Sequence, residues 1–327
     1  MPHTVADRIN AGNEYVVSHM YSLEAQTVRE LYRAYEVAYR EMRESLEAVF
    51  RDIVNGGSWS VQNVAARDLL MRQISRQLLA LDTAQANLTL DSMINAYNGS
   101  LAGTGYVLDM SVFSAMGMNT ATLPLLPNEA IRAQLLAPYA GMTLGERFNN
   151  NRVEFELAMK RALVQSQIQG ETVYQAQKRI AAVLGVQIGR RTKADRANNR
   201  AMFARTEMIA RTEILRASNN GSMAVYKANR DVLRGWTWTA ARDSRVCPRC
   251  APLDGKTFKF GERAQPPEHV MCRCVATPAL IDRRLENAIA GEREPFTEWA
   301  AKRGLSYNVY GQAYQLRAQK PPIKKAD

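Results

Sequence analysis

Cys247-Pro-Arg-Cys250, then Asp254-Gly255, then Pro266-Pro-Glu-His269-Val-Met-Cys272-Arg-Cys274: these strings hold every cysteine of the chain and one of its three histidines. Cysteines placed at random over 327 positions would not fall so close together, so the cluster asks for a chemical cause. A C-x2-C pair sets two thiols on one tight knuckle, and His269-x2-Cys272-x-Cys274 adds three more donors; zinc takes four N or S ligands in a tetrahedron. More candidates than places leave the set open. Cys247, Cys250, Cys272 and Cys274 come first, and the alternative puts His269 in place of one of them. Around the cluster, Trp236-Thr-Trp-Thr239 and Thr257-Phe-Lys-Phe260 alternate with period two, as strands do, and Asp254-Gly255 is a tight-turn signal. A small β-module of roughly 45 residues has little core of its own, so a structural Zn2+ contributing on the order of 10 kcal/mol is what folds it.

Other chemistries fit the cluster less well. Paired disulfides need an oxidising compartment, and a redox dithiol wants its C-x-x-C opening a helix in a βαβ setting. A catalytic zinc needs an open position and a nearby base, for which Glu268 and Asp243 are the candidates; surplus donors favour a closed, structural site.

Upstream the chain reads as helical. Val28, Leu31, Tyr35, Ala38, Met42, Leu46, Val49 and Ile53 recur in steps of three and four, on one face of a helix capped by Ser22 and ended at Gly56-Gly57. An apolar partner helix follows Ser58-Trp-Ser60 through Leu69, Leu70, Ile74, Leu78 and Leu81 towards Tyr97. From Asn98 to Pro127 the chain is rich in Gly, Ser, Thr and Pro and reads as an irregular connection, with Gly105 to Met110 a candidate for extended structure. Helices are predicted over 151–169, ended by Gly170, over 171–184, and over 192–229. On the last, Ala210, Ile214, Ala217, Gly221 and Ala224 make a face of mostly small residues, which predicts a close crossing near Ala217 and Gly221. Glu207 with Arg211, and Glu213 with Arg216, are spaced to pair on a solvated face. The fold class is α+β, a mostly helical body with a small C-terminal zinc-stabilised β-module. Its divisions are 1–135 and 136–234 as helical regions, 235–283 as the metal module, and 284–327 as an extension with a basic tail.

A formal net charge of +11 points to an anionic partner. Between Arg190 and Arg234 eleven basic residues stand against four acidic. Arg190, Arg191, Lys193, Arg196 and Arg200 head that run as candidate contacts to nucleic-acid phosphates, and Lys324 and Lys325 add charge to the tail. Phe203 and Tyr226, the few aromatics there, do not suggest base stacking. The N-terminus is polar, and no run approaches the roughly 18 apolar residues of a membrane span. The expectation is a soluble protein of a reducing cytoplasm, where thiols take metal.

Three strings in order are Ala210-Arg-Thr-Glu-Ile-Leu-Arg-Ala-Ser-Asn219, Asp243-Ser-Arg-Val-Cys-Pro-Arg-Cys-Ala-Pro-Leu-Asp-Gly255 and Pro266-Pro-Glu-His-Val-Met-Cys-Arg-Cys274. Together they resemble the phage head morphogenesis family typified by Mu F-like minor head proteins, with Thr143-Leu-Gly-Glu-Arg147 as its upstream part. The resemblance runs from about Tyr139 to Ala279; earlier residues are similar only in being helical. It implies a structural protein with no enzymatic activity, found in virion or procapsid at the portal vertex and assisting capsid assembly and DNA packaging or delivery. The implied partners are the portal protein, a major capsid or scaffolding protein, and phage genomic DNA bound without sequence readout, with no membrane. The implied location is the capsid interior, and the host cytoplasm during assembly. From a different class, a zinc-dependent nuclease acting during packaging would also use a metal beside a basic helix.

Overall fold

The computed structural model describes residues 3–56, 64–118, 120–183, 193–241, 246–291 and 294–305. Its helices are α1 (Val5–Gly56), α2 (Val64–Leu108), α3 (Ser114–Met116, after a π-helical turn Asp109–Phe113), α4 (Asn128–Leu136), α5 (Leu144–Ile168), α6 (Val173–Val183), α7 (Lys193–Ala228) and α8 (Phe296–Lys302). The strands are β1 (Leu233–Thr239), β2 (Thr257–Lys259) and β3 (Val275–Leu280). A mostly helical chain with one small antiparallel sheet is the coarse class the sequence predicts.

The predicted helix starts need correction. Ser22 lies inside α1, its hydroxyl donating to the Ser18 carbonyl at 2.9 Å. The real start is a reciprocal cap, in which Thr4 Oγ1 accepts from the Asp7 amide (3.1 Å) while Asp7 Oδ2 accepts from the Thr4 amide (3.1 Å). Thr143 and Glu146 form the same device at the start of α5, several residues before the predicted 151. Thr172 and Gln175 repeat it before α6. Gly170, at φ +61, ends α5 as expected.

The chain clusters into two compact units, each built from separated segments. One comprises the described residues of 26–89 and 136–210. Its core joins Leu31, Tyr35 and Met42 of α1, Leu70, Ile74 and Leu78 of α2, Met159 and Leu163 of α5, and Phe203 of α7. Tyr32 meets Phe203 edge-on at 5.3 Å. The predicted stripes are therefore core, although Leu69 stands 44% exposed beside fully buried Leu70. The side chains of Leu46, Val49 and Ile53, and the whole of Ser58-Trp-Ser60, lie outside the described residues.

The other unit comprises the described residues of 1–25, 90–135 and 211–327. Here the predicted irregular connection is overturned over its first half. α2 runs helically to Leu108 with no extended structure at 105–110, and irregular chain begins only after α3. The small residues that read as loop are packing positions. A Cβ added at Gly99 would lie 2.9 Å from His19, and one at Gly103 would lie 2.9 Å from Val16. Ser100 and Thr104 hydrogen-bond Ser218 (2.7 Å) and Ser222 (2.9 Å) of α7. Low helix propensity is outweighed by close backbone approach. The crossing predicted near Gly221 is there, since its Cβ would sit 2.2 Å from the Tyr97 carbonyl oxygen of α2. Gly221→Ala is expected to cost about 1–3 kcal/mol by overpacking, read from denaturant unfolding; an unchanged midpoint would refute the tight crossing.

The sheet has the order β2-β1-β3, all antiparallel, with Trp236 opposite Phe258 and Trp238 opposite Ala276. Buried Trp236 packs on Phe258 (5.1 Å) and Trp238 (6.0 Å), so the period-two reading of β1 holds. β3 was not predicted. Val275-Ala-Thr-Pro-Ala-Leu280 carries a proline, which an edge strand tolerates and a central strand does not.

Candidate metal centre

Two local structures present the donors. After β1 the chain turns through Cys247–Cys250, closed by backbone bonds from Cys250 N and Ala251 N to Cys247 O (3.1 and 3.0 Å). A short 3-10 turn, Ala251–Leu253, then leads through Gly255, at φ +77, back towards β2. The Gly255 amide bonds to Trp238 O at 2.9 Å, so the Asp254-Gly255 signal does mark a turn against β1. The second structure is the loop into β3, where the Cys272 amide donates to His269 O at 3.1 Å and Met271 sits at φ +60.

All five predicted donors meet. Cys247, Cys250 and His269 form one triad and Cys250, Cys272 and Cys274 another, with the ligand atoms in each within 4.8 Å of one another. Cys250 belongs to both. His269 Nε2 lies 3.0 Å from Cys247 Sγ and 3.3 Å from Cys250 Sγ, and Cys250 Sγ lies 3.9 Å from Cys272 Sγ. Two thiolates on one tetrahedral zinc stand about 3.8 Å apart, so the Cys250–Cys272 separation suits two ligands of one ion. His269 Nδ1 faces the Val270 carbonyl at 2.8 Å. A carbonyl only accepts, so Nδ1 carries a proton, and Nε2, turned towards the sulfurs, is the nitrogen left to bind a metal. The four cysteines are free thiols, and Cys250, Cys272 and Cys274 are buried.

The thiols share protons unevenly. A hydrogen bond from Cys274 brings Cys272 down to about 5 despite burial. Burial, with Cys247 and Cys272 alongside, pushes Cys250 up to about 12. The bond to Cys272, joined by burial, raises Cys274. Burial also raises Cys247, but bonds from the Cys250 side outweigh it and leave the thiol below its ordinary range. Burial disfavours charged His269, yet the Val270 carbonyl and the neighbouring thiolates carry its pKa upward. Crowded thiols of this kind are what a cation relieves by replacing protons.

The other predicted site residues are placed less fully. Arg190, Arg191, Lys324, Lys325 and Asp243 lie outside the described residues. Lys193, Arg196 and Arg200 fall on α7, though their side chains are not among those described. Glu268, the remaining candidate base, pairs with Arg263 at 2.7 Å. Glu213 and Arg216 do pair (2.7 Å), yet they are buried, and Arg216 also donates to Leu135 O at 2.6 Å, so this is an internal clamp and not a solvated face. Arg211 reaches Glu24 of α1 at 3.2 Å. Sequence reasoning missed Thr212, Asn219 and Tyr226, which bond to the metal loop and β3. For Thr212 and Asn219 the only signal was that the Ala210–Asn219 string accompanies the cysteines; Tyr226 lies beyond that string.

Helices bearing a small sheet on which thiols and an imidazole converge define a helical protein with a candidate metal-stabilised module. Residues 158–277, which include every one of those donors, match the model of the family described as Phage Mu protein F like protein. Over those residues the chain is similar to Mu F-like phage head morphogenesis proteins, a shorter stretch than the strings suggested, with Thr143–Arg147 outside the match. No curated protein and no solved structure gave a match. No described helix is long and apolar enough to cross a membrane.

Proposed function

We propose that the chain acts as a minor head protein at the portal vertex, assisting capsid assembly and DNA packaging or delivery, with a structural Zn2+ in its sheet module. The match over 158–277 carries this reading, because it runs from within α5 into β3 and includes the whole donor cluster. The partners are the portal protein, a major capsid or scaffolding protein, and genomic DNA. Recovering the tagged chain from cells assembling its phage tests this. Portal and capsid subunits at reproducible ratios are expected; host proteins alone would overturn it.

Cys247, Cys250, His269 and Cys272 would hold the ion, with Cys274 as a buried thiol beside them. In support, His269 Nε2 faces both knuckle sulfurs with its other nitrogen anchored, and Cys250 and Cys272 stand at ligand spacing. Bound there, zinc supplies a cross-link between knuckle and loop. A full set of protein donors favours a structural ion over a catalytic one, and the engagement of Glu268 with Arg263 weighs the same way against a nuclease.

DNA binding rests on charge, +11 overall and concentrated from Arg190 onward. Neutralising Arg190, Arg191, Lys193, Arg196 and Arg200 is expected to flatten the dependence of log K on log salt by about 0.9 for each phosphate that these side chains cease to neutralise. Unchanged affinity and slope would remove this segment as the DNA-binding surface.

A further inference from the structure

We infer that Thr212 and Asn219 of α7 are positioning residues for the metal loop, gripping the main chain on both sides of Cys272 and Cys274. The inference rests on the proposed metal site and adds residues that are not themselves ligands.

Asn219 is 2% exposed. Its Oδ1 accepts from the Ala276 amide at 2.9 Å, and its Nδ2 donates to the Cys274 carbonyl at 3.4 Å. In extended chain the C=O of one residue and the N–H two residues on point to the same side. One side-chain amide therefore fills the place a neighbouring strand would take beside the start of β3. Seven residues earlier, buried Thr212 accepts the Met271 amide on Oγ1 at 3.1 Å. Seven residues later, the Tyr226 hydroxyl donates to Ala276 O at 3.3 Å. Steps of seven are about two helical turns, so the three residues share one face of α7. Met271, at φ +60, adopts a backbone that side-chain-bearing residues seldom take, and the Thr212 bond fixes the turn where that conformation occurs.

The two halves of the donor set are thus held differently. The Cys247–Cys250 knuckle is closed by its own backbone, whereas the strip from Met271 to Ala276 is gripped by α7. Partners of this kind orient metal ligands, and their loss lowers metal affinity by roughly 10–100-fold.

The test is competition for Zn2+ against a chromophoric chelator, with the Co2+ ligand-field spectrum as a second readout. Asn219→Ala and Thr212→Val are each expected to bind Zn2+ roughly 10–100-fold more weakly, to reach the wild-type stoichiometry at saturation, and to alter the Co2+ spectrum. Thr212→Ser, which keeps the acceptor oxygen, should restore both. Wild-type affinity and spectrum in both variants would overturn the inference. Should Asn219→Ala not fold, the Thr212→Val and Thr212→Ser pair decides alone. A wild-type chain that takes no Zn2+ would sink the metal reading instead. The grip is then judged by amide exchange, where faster exchange at Met271 in Thr212→Val and at Ala276 in Asn219→Ala supports it and unchanged exchange refutes it.

Discussion

Stripping the metal with a chelator, or replacing Cys250 by serine, is expected to unfold the sheet module while the helical circular-dichroism signal largely persists. Cys250 is the donor common to both triads, so its loss leaves neither triad intact. The sheet has little to set against that loss, since β2 is three residues long and the aromatic layer is Trp236, Trp238 and Phe258. A structural zinc contributes roughly 10 kcal/mol or more, as much as the whole stability of a typical domain. Amide exchange over β1 and β3 before and after chelation reads the result. Protection that survives in metal-free protein would show that the sheet folds without an ion. Cys274→Ser is the companion variant and is expected to keep one Zn2+ per chain. If it loses the ion while Cys247→Ser keeps it, the ligand set includes Cys274 and excludes Cys247.

Local chemistry is what the sequence made legible. Thiol and imidazole spacing announced a cluster, and its five residues do come together as two triads that share Cys250. Apolar steps of three and four located Leu31, Tyr35, Met42, Ile74 and Leu78 in one core. The small face of α7 correctly announced a crossing at Gly221. What misled was that two different causes produce the same residues. Gly99, Ser100, Gly103 and Thr104 have the composition of a loop, but they are small because α1 and α7 press against them, and that pressure is long-range. β3 was hidden for a related reason, because Pro278 argues against a strand until its edge position is known. Thr4 and Asp7 did carry a readable cap signal, which the more apolar segment after Ser22 overshadowed. Thr212 and Asn219 were legible only as members of a string; their partners lie 59 and 57 residues away.

Asp109→Ala is expected to destabilise the unit containing the sheet by about 3–5 kcal/mol, the cost of stranding a buried charge by removing its partner. Asp109 opens the π-helical turn at the end of α2, and its side chain is 3% exposed. One carboxylate oxygen accepts the Ala121 amide; the other accepts the Trp299 indole N–H at 2.6 Å and the Arg303 guanidinium. Alanine would leave all three donors without that acceptor, with Arg303, which also lies 4.8 Å over the Trp299 ring, as an unpaired charge. Phe296, Trp299 and Tyr106 pack as one cluster around this hub, so the loss should loosen α8 first. The carboxyl also has a pH signature. Burial pushes its pKa above the usual range, only partly offset by the Ala121, Trp299 and Arg303 bonds. The folded state therefore holds the proton more firmly than the unfolded chain, a contribution present below the unfolded pKa and lost as pH rises through the folded one. Wild type should accordingly gain stability relative to Asp109→Asn as pH falls through that window. Unfolding midpoints of wild type, Asp109→Ala and Asp109→Asn across the acidic range decide both points. An alanine variant within about 0.5 kcal/mol of wild type, the scale of an ordinary surface change, would mean that Asp109 does not hold the C-terminal helix in place.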